Sequence, residues 1–363
     1  MHVPAPVFTF LAFALALGVL VFVHELGHFA VAKRIGVRVL RFSIGFGPIV
    51  FARRRGETEY ALSAMPLGGY VKMLGDEDDD DPTAAAREPE RAFPNQSALG
   101  RAAIVFAGPA MNFLFAFVVY ALLFAAVGAE VPSTEPRVGG IAPASAAEHA
   151  GLKAGDRIVA VDDEAITTWE DISRRVLGSD GKVLALKVER DGSTLQIAVT
   201  PELKDSRTMF GEDAGQVYRI GIEASRDWQQ VGPVAAVGMA AEQTWTASVV
   251  VLKGLVLMVG GRVPLRELGG PIAIARAAGE QARAGLRYFL SMLAFLSINL
   301  GVLNLLPIPA LDGGQLTFIG LEGALRRPLR PRHREIAQQV GLFLLLTLMV
   351  FVFYNDIHRL IQG

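Results

Sequence analysis

The chain has 363 residues, of which 52% are hydrophobic and only 20% are charged, and it contains no cysteine. Soluble proteins carry about 25% charged residues, so the apolar excess points to long hydrophobic runs rather than to a core alone. A net charge of −1 gives no electrostatic reason to expect a nucleic-acid partner. The absence of cysteine excludes disulfides, thiolate catalysis and cysteine-type zinc fingers, and the length allows two or three domains.

Four uncharged runs are long enough to cross a hydrocarbon core, which takes about 20 residues. They cover 3–23, 102–129, 288–311 and 336–355. No Lys or Arg precedes the first run, and it is too long for the apolar part of a signal peptide, so we expect a transmembrane helix there. The sequence therefore predicts a polytopic α-helical membrane protein with four transmembrane helices.

The basic residues next to the apolar runs predict how these helices are oriented. Ten of them follow the first run, precede the second or lie in the loop between the third and fourth: Lys33, Arg34, Arg38, Arg41, Arg101, Arg326, Arg327, Arg330, Arg332 and Arg334. Positively charged short loops stay in the cytoplasm. Both termini and the long 130–286 segment are therefore expected on the outer side of the membrane.

A fifth apolar stretch, 243–261, is divided by Lys253. We interpret it as a helix lying in the membrane interface, with a buried helix of a soluble domain as the alternative. A fifth span here would place the arginine-rich loop outside, against the charge rule.

The sequence His24-Glu25-Leu26-Gly27-His28 stands directly after the first apolar run. On a helix, positions i and i+4 share a face, so the two imidazoles can bind one metal ion. Glu25 between them can then act as a general base toward water, as in zinc peptidases. The alternative is a pair of interfacial histidines beside a glutamate that reaches toward the membrane surface, but a glutamate here is costly without a polar partner.

A catalytic zinc takes three protein ligands, so a third is needed. The remaining histidines stand alone in predicted termini and loops, where we expect them to be solvated: His2, His149, His333 and His358. Asp312 is the stronger candidate because it ends the third run just after Pro307 and Pro309, which break the helix. Asn299 and Asn304 in the same run also need polar partners. Since the first and third spans run in the same direction, all three candidate ligands fall at one depth, near the cytosolic leaflet.

Further motifs follow in a characteristic order. They are SIGFGP at 43–48, PLGGYVKM at 66–73, AGPAMNF at 107–113, GGPI at 269–272, NLLPIPALDG at 304–313 and YND at 354–356. Together with the 24–28 motif, they make the chain similar, over nearly its whole length, to the site-2 protease family of intramembrane zinc metalloproteases. The resemblance implies a bacterial cytoplasmic membrane, one Zn²⁺ per chain held by His24, His28 and Asp312, and Glu25 as catalytic base. It also implies that Asn304 assists substrate binding or the oxyanion.

The segment 37–100 is expected to form a membrane-associated β-hairpin region. Extended stretches at 37–42, 49–51 and 60–65 alternate with glycine turns, and Gly45 and Gly47 are candidate substrate-binding positions. An edge strand here could hold an unwound substrate by strand addition, although a hairpin without such a role is the alternative. The acidic run 76–81 is interpreted as a solvated loop, with a divalent-cation site as the weaker alternative.

The outer segment 140–162 resembles a bacterial PDZ domain, and the stretches at 183–189, 195–200 and 218–222 can complete it. We therefore expect an extracytoplasmic PDZ-like α+β domain that binds peptide tails by strand addition. A purely structural β-rich domain is the alternative. The resemblance would allow two PDZ domains in tandem, as in some members of the family, whereas 137–222 has room for one.

These observations define eight segments. They are the first transmembrane helix (1–36), the β region and acidic loop (37–100), the second transmembrane helix (101–129), the PDZ-like domain (130–232), the interfacial helix with its connector (233–286), the third transmembrane helix (287–314), the basic loop (315–335), and the fourth transmembrane helix with its outer tail (336–363). The resemblance implies cleavage of single-span membrane proteins already trimmed outside, such as anti-sigma factors, and of remnant signal peptides. A non-catalytic adaptor and a zinc transporter are the competing functions.

Overall fold

The computed structural model describes residues 4–76, 86–207, 213–263, 269–327 and 329–362. The chain forms two compact units, the first made of 1–123 with 236–363 and the second of 124–235. Apart from Asp76, the acidic run predicted as a loop lies outside the described residues.

Helices make up most of the first unit, and two short ones belong to the second. In chain order they are α1 (Ala5–Ile35), α2 (Ala98–Val127), α3 (Ala146–His149), α4 (Trp169–Leu177), α5 (Pro233–Val259), α6 (Pro271–Ala284), α7 (Leu286–Asn304), α8 (Asp312–Leu325) and α9 (Pro331–Gln362). Among the described residues, five helices are long and apolar enough to cross a membrane, namely α1, α2, α5, α7 and α9. The composition and the lengths of these helices are those of a multi-pass membrane protein.

Helix α5 contains the apolar stretch that Lys253 divides in the sequence. Its 27 residues, Pro233–Val259, form one continuous helix, and a helix was expected here in both interpretations of the sequence. A lysine is a good helix former and interrupts apolar character without interrupting the backbone. Helix α5 is the least apolar of the five candidates, and the four-span count stays a prediction.

The helix of the third apolar run ends before its two prolines, which the sequence predicts to break it. Helix α7 ends at Asn304, and Asp312 is the first residue of α8 rather than the end of a span. Pro307 and Pro309 lack the N–H that would continue the helix. A carboxylate in the first turn of a helix is favourable, which suits Asp312 to this position. The predicted segment 287–314 therefore contains a helix, a turn and the start of the next helix.

Two long strands, β1 (Val39–Arg55) and β2 (Thr58–Met73), form the predicted β region. The first part of β1 pairs with both ends of β2, whereas 49–55 pairs only with the first part of β2. The result is a four-stranded antiparallel arrangement in which 69–73 and 49–55 are the edges among the described residues. Gly45 and Gly47 have φ of +89° and +83°, where the chain turns between the two parts of β1.

Helix α1 is held by α7 and by α6. Small side chains on α1, among them Ala12 and Ala16, pack with Phe289 and Leu293 of α7 in one buried cluster. Small residues allow helices in a membrane to approach closely. Helix α6 lies against the beginning of α1, where a Cβ on Gly279 would come within 2.5 Å of the Thr9 hydroxyl.

The start of α6 is tied to α9 by Asp356, which is 3% exposed. Its carboxylate accepts hydrogen bonds from the backbone N–H groups of Gly270, Ile272 and Ala273 at 2.9, 2.9 and 3.1 Å. A carboxylate at a helix N-terminus satisfies amide groups that have no partner within the helix. The GGPI and YND motifs of the sequence are therefore two halves of one helix cap.

The second unit is built on a sheet whose strand order is β6-β5-β7-β8, from Glu164–Ala165, Arg157–Val161, Leu184–Arg190 and Ser193–Val199. Three further antiparallel pairs join β3 (Ala129–Pro132) to β12 (Arg226–Gln229), β4 (Val138–Ile141) to β11 (Ile222–Ala224) and β9 (Glu202–Arg207) to β10 (Asp213–Arg219).

The core of this unit includes Ile158, Leu186 and Val188, all fully buried. An apolar groove lies between α4 and β11, lined by Ile172 and Val176 on one side and Ile222 on the other. Two of the predicted strand stretches, 183–189 and 195–200, correspond to β7 and β8 with shifts of one or two residues. The assignment to the PDZ type stays a prediction.

Candidate metal centre

The side chains of His24, His28 and Asp312 converge on one point. His24 and His28 lie four residues apart on α1 and therefore on one face of it, and Asp312 comes from the start of α8. The Nε2 atoms of the two histidines are 3.2 Å apart, and Asp312 Oδ2 lies 3.1 Å from His24 Nε2 and 3.6 Å from His28 Nε2. The three side chains are only 9%, 12% and 15% exposed.

The hydrogen bond of His28 determines which of its nitrogens has a lone pair directed at the cluster. Nδ1 of His28 lies 2.9 Å from the backbone oxygen of Ile104 on α2. Only a protonated nitrogen can bond a carbonyl oxygen, so Nδ1 carries the hydrogen and Nε2 offers its lone pair to the cluster. A backbone carbonyl behind a metal-binding imidazole is a usual second partner in such sites.

This donor set fits a zinc ion. In a tetrahedral site with zinc–nitrogen distances of about 2.0–2.1 Å, two ligand atoms lie roughly 3.3 Å apart, and the three observed separations are 3.1, 3.2 and 3.6 Å. The buried Oδ2 of Asp312 has no well-directed hydrogen bond, which is costly for a carboxylate unless a cation is near. Two imidazoles and one carboxylate are the ligand types of a catalytic zinc with one open position.

Glu25 and Asn304 border the same cluster. Glu25 is half-buried and close enough to interact electrostatically with all three candidate ligands. Asn304, the last residue of α7, has its amide nitrogen 3.3 Å from His24 Nε2. Asn299, by contrast, hydrogen-bonds the backbone oxygen of Phe295 within its own helix. Each asparagine therefore has a polar partner, as the sequence predicts, and the partner of Asn304 belongs to the cluster.

The edge of the β region also reaches the site. A Cβ built on Gly69 would lie 3.1 Å from Cγ of Glu25 and 2.9 Å from a methyl carbon of Val21. Gly45 and Gly47 contact the strand opposite, because a Cβ on either would meet Met65 at 2.6 and 2.9 Å. Their positive φ angles require glycine for the turn itself, and a role in substrate binding stays a prediction.

Helix α2 supplies groups to which sequence reasoning assigned no role. Ile104, Gly108 and Asn112 are spaced by four residues and so lie on one face of α2. A Cβ on Gly108 would fall 2.3 Å from His28 Nε2, and the side chain of Asn112 is 3.0 Å from His24 Nδ1. The available signal was the polar Asn112 in an uncharged run, since a polar residue at membrane depth normally has a function.

Comparison with known proteins finds relatives over nearly the whole chain. The sequence profile of peptidase family M50 matches residues 12–348. A Rhizobium meliloti protein, provisionally named a zinc metalloprotease, is 37% identical over 97% of both chains. A similarly named Mesorhizobium japonicum protein is 40% identical over 96% of this chain and 98% of its own length.

The regulator of sigma-E protease of Salmonella typhimurium is 35% identical over 96% of this chain and 98% of its own. Its alignment runs to 445 positions, so this relative has segments without a counterpart among the 363 residues here. The chain belongs to peptidase family M50 and is a zinc metalloprotease of the site-2 type.

Proposed function

We propose that this chain cleaves transmembrane segments of single-span membrane proteins within the bilayer, with His24, His28 and Asp312 holding the zinc and Glu25 acting as catalytic base. The convergence of these three ligand atoms beside Glu25, with both histidines on a helix apolar enough to span a membrane and Asp312 at the start of α8, carries the proposal. Anti-sigma factors already trimmed outside the membrane are the substrate class that we favour, because one similar protein is named for regulating sigma-E. Remnant signal peptides are a second class with the same single-span form.

The side chains divide the work of peptide hydrolysis among them. Zinc, when bound, supplies a Lewis acid that polarises the scissile carbonyl and makes water easier to deprotonate. Glu25 takes a proton from the attacking water and returns it to the leaving amine, so one carboxylate serves as base and then as acid. The Asn304 amide, next to His24, donates a hydrogen bond to the negative charge that develops on the carbonyl oxygen.

An Asp312→Ala variant is expected to lose both zinc and proteolysis. Removal of one of three ligands leaves two imidazoles, which bind zinc far more weakly. Metal analysis of the purified protein should find about one zinc per wild-type chain and much less in the variant, together with at least a roughly 100-fold loss of substrate cleavage.

The matched control is Asp227→Ala, which removes an exposed carboxylate on β12. It should keep both zinc and activity. A non-catalytic adaptor would retain its partner binding in Asp312→Ala and cleave nothing in either form, and a transporter would move zinc without cutting peptide. Full cleavage by a zinc-free Asp312→Ala protein would contradict the proposal.

Two surfaces are proposed to hold the substrate. A transmembrane helix has its carbonyls internally bonded, so a peptide must be extended before it can be cut. The edge at 69–73 begins beside Glu25 and has backbone groups on its outer side, which suits strand addition. In the second unit, β11 pairs only with β4 among the described residues, and its other edge faces the apolar groove beside α4, which suits a peptide tail.

Single cysteines would test both surfaces and the orientation, because the natural chain has none. Tyr70→Cys on the 69–73 edge and Ser173→Cys in the groove are expected to cross-link to a substrate that carries a thiol-reactive group. Ser193→Cys, exposed on β8, should not.

We also propose that the termini and the second unit lie outside the cytoplasm and that the metal site lies near the cytosolic leaflet. Ser193→Cys should then react with an impermeant label from outside, and Arg330→Cys only from the cytoplasmic side. Cross-linking at Ser193 equal to that at Tyr70 would contradict the substrate surfaces, and labelling of Arg330→Cys from outside would contradict the orientation.

A further inference from the structure

Asn112 lies behind the metal site, in the middle of α2. Its side chain is fully buried, and its amide nitrogen is 3.0 Å from Nδ1 of His24, on the side of the ring away from Asp312. The amide oxygen is buried without a hydrogen-bond partner. A buried amide beside a metal-ligating ring is expensive unless the amide serves that ring.

His24 needs a different partner in each of its two tautomers. When Nε2 carries the hydrogen, it can donate to His28 Nε2 at 3.2 Å, and Nδ1 accepts a bond from the amide nitrogen of Asn112. When Nε2 gives its lone pair to a metal, Nδ1 must carry the hydrogen and needs an acceptor instead. A half-turn of the Asn112 amide presents its oxygen to Nδ1 in the same space, because the two ends of an amide are nearly equal in shape.

The two histidines are thus held by different kinds of group. The Ile104 carbonyl behind His28 can only accept, and it keeps that ring in one tautomer. The amide behind His24 can donate or accept. We propose that Asn112 is a positioning residue for His24 that turns its amide to hold the ring in its metal-binding tautomer when zinc enters and in its metal-free tautomer when zinc leaves. The inference rests on the proposed function in that His24 is taken as a ligand.

The test compares the zinc affinity of full-length variants in competition with a chelator. Asn112→Leu has similar size and no acceptor, and we expect its zinc affinity to fall by about 10- to 100-fold, the usual loss when the outer partner of a ligating histidine is removed. Asn112→Asp keeps an acceptor for Nδ1–H and should bind zinc within a few-fold of wild type. Ser297→Ala is the structural control, because the Ser297 hydroxyl bonds the backbone oxygen of Asn112 at 2.9 Å without touching His24.

A second measurement separates positioning from general damage. The visible absorption of the cobalt-substituted protein reports ligand geometry, and we expect it to change in Asn112→Leu but not in Asn112→Asp or Ser297→Ala. Unchanged zinc affinity in Asn112→Leu would overturn the proposal, as would an equal loss in Asn112→Asp. If Asn112→Leu does not fold, Asn112→Ser, whose side chain is too short to reach Nδ1, replaces it with the same expected loss. A His24→Ala variant that kept full zinc affinity would instead overturn the proposed function.

Discussion

A Glu25→Gln variant is expected to bind zinc as wild type does and to cut a model transmembrane substrate at least about 100-fold more slowly. Glutamine keeps the size and polarity of the side chain but cannot accept a proton from water. The three proposed ligand atoms are contributed by other residues, so the metal content should not change. Cleavage of the substrate in detergent or vesicles and zinc content of the same sample are the two measurements.

Glu90→Gln gives the matched control for Glu25→Gln. Glu90 is exposed and stands in the segment between β2 and α2, so its substitution should alter neither measurement. Undiminished cleavage by Glu25→Gln would exclude the proposed role of Glu25. Loss of zinc from that variant would show a structural contribution of the carboxylate to the site and would leave its role as a base to be tested at restored zinc occupancy.

Much of the site could be predicted because its residues are close in sequence or marked by local rules. His24 and His28 fall on one face of any helix, so their spacing alone predicts a shared ligand direction. Asp312 could be selected because Pro307 and Pro309 break an apolar run just before it, and polar groups there need a partner. The parallel direction of the first and third spans then predicted that the histidines and Asp312 would share a depth.

The contribution of α2 could not be predicted in the same way. Which face of one apolar helix contacts another depends on packing over its whole length. A helix that is apolar on all sides has no polar face from which the contact face could be predicted. Gly108 and the Ile104 carbonyl carry no chemical signal of their own in the sequence. Asn112 did carry one, as an amide in an uncharged run, but its partner could be identified only from the helix contact.

The fold shows the same division between local and distant causes. The strands of the β region were expected from glycine turns and extended stretches, yet pairing of one strand with two partners depends on long-range register. The cap of α6 by Asp356 joins residues more than 80 positions apart. The sequence around Asp356 contains no signal that identifies the start of α6 as its partner.

Gly108→Ala is expected to weaken zinc binding at the metal site although it adds only one methyl group. That carbon would lie 2.3 Å from His28 Nε2 and 2.8 Å from His24 Cε1, closer than atoms can approach. His28 cannot easily withdraw, because its other nitrogen is bonded to Ile104 on the same helix as Gly108. The helices cannot separate without cost either, since Gly27 of α1 packs on the Ala107 carbonyl so closely that a Cβ there would lie 2.2 Å from the oxygen.

Overpacking of a close contact costs about 1–3 kcal/mol, and here the strain falls on the proposed ligands themselves. We therefore expect at least a roughly 10-fold loss of zinc affinity in Gly108→Ala, together with a comparable or larger loss of cleavage. Gly18→Ala is the matched control, because Gly18 also lies in an apolar helix and a Cβ there meets nothing within 4 Å. Zinc affinity in Gly108→Ala equal to that of Gly18→Ala would mean that α2 does not press on the histidines as described.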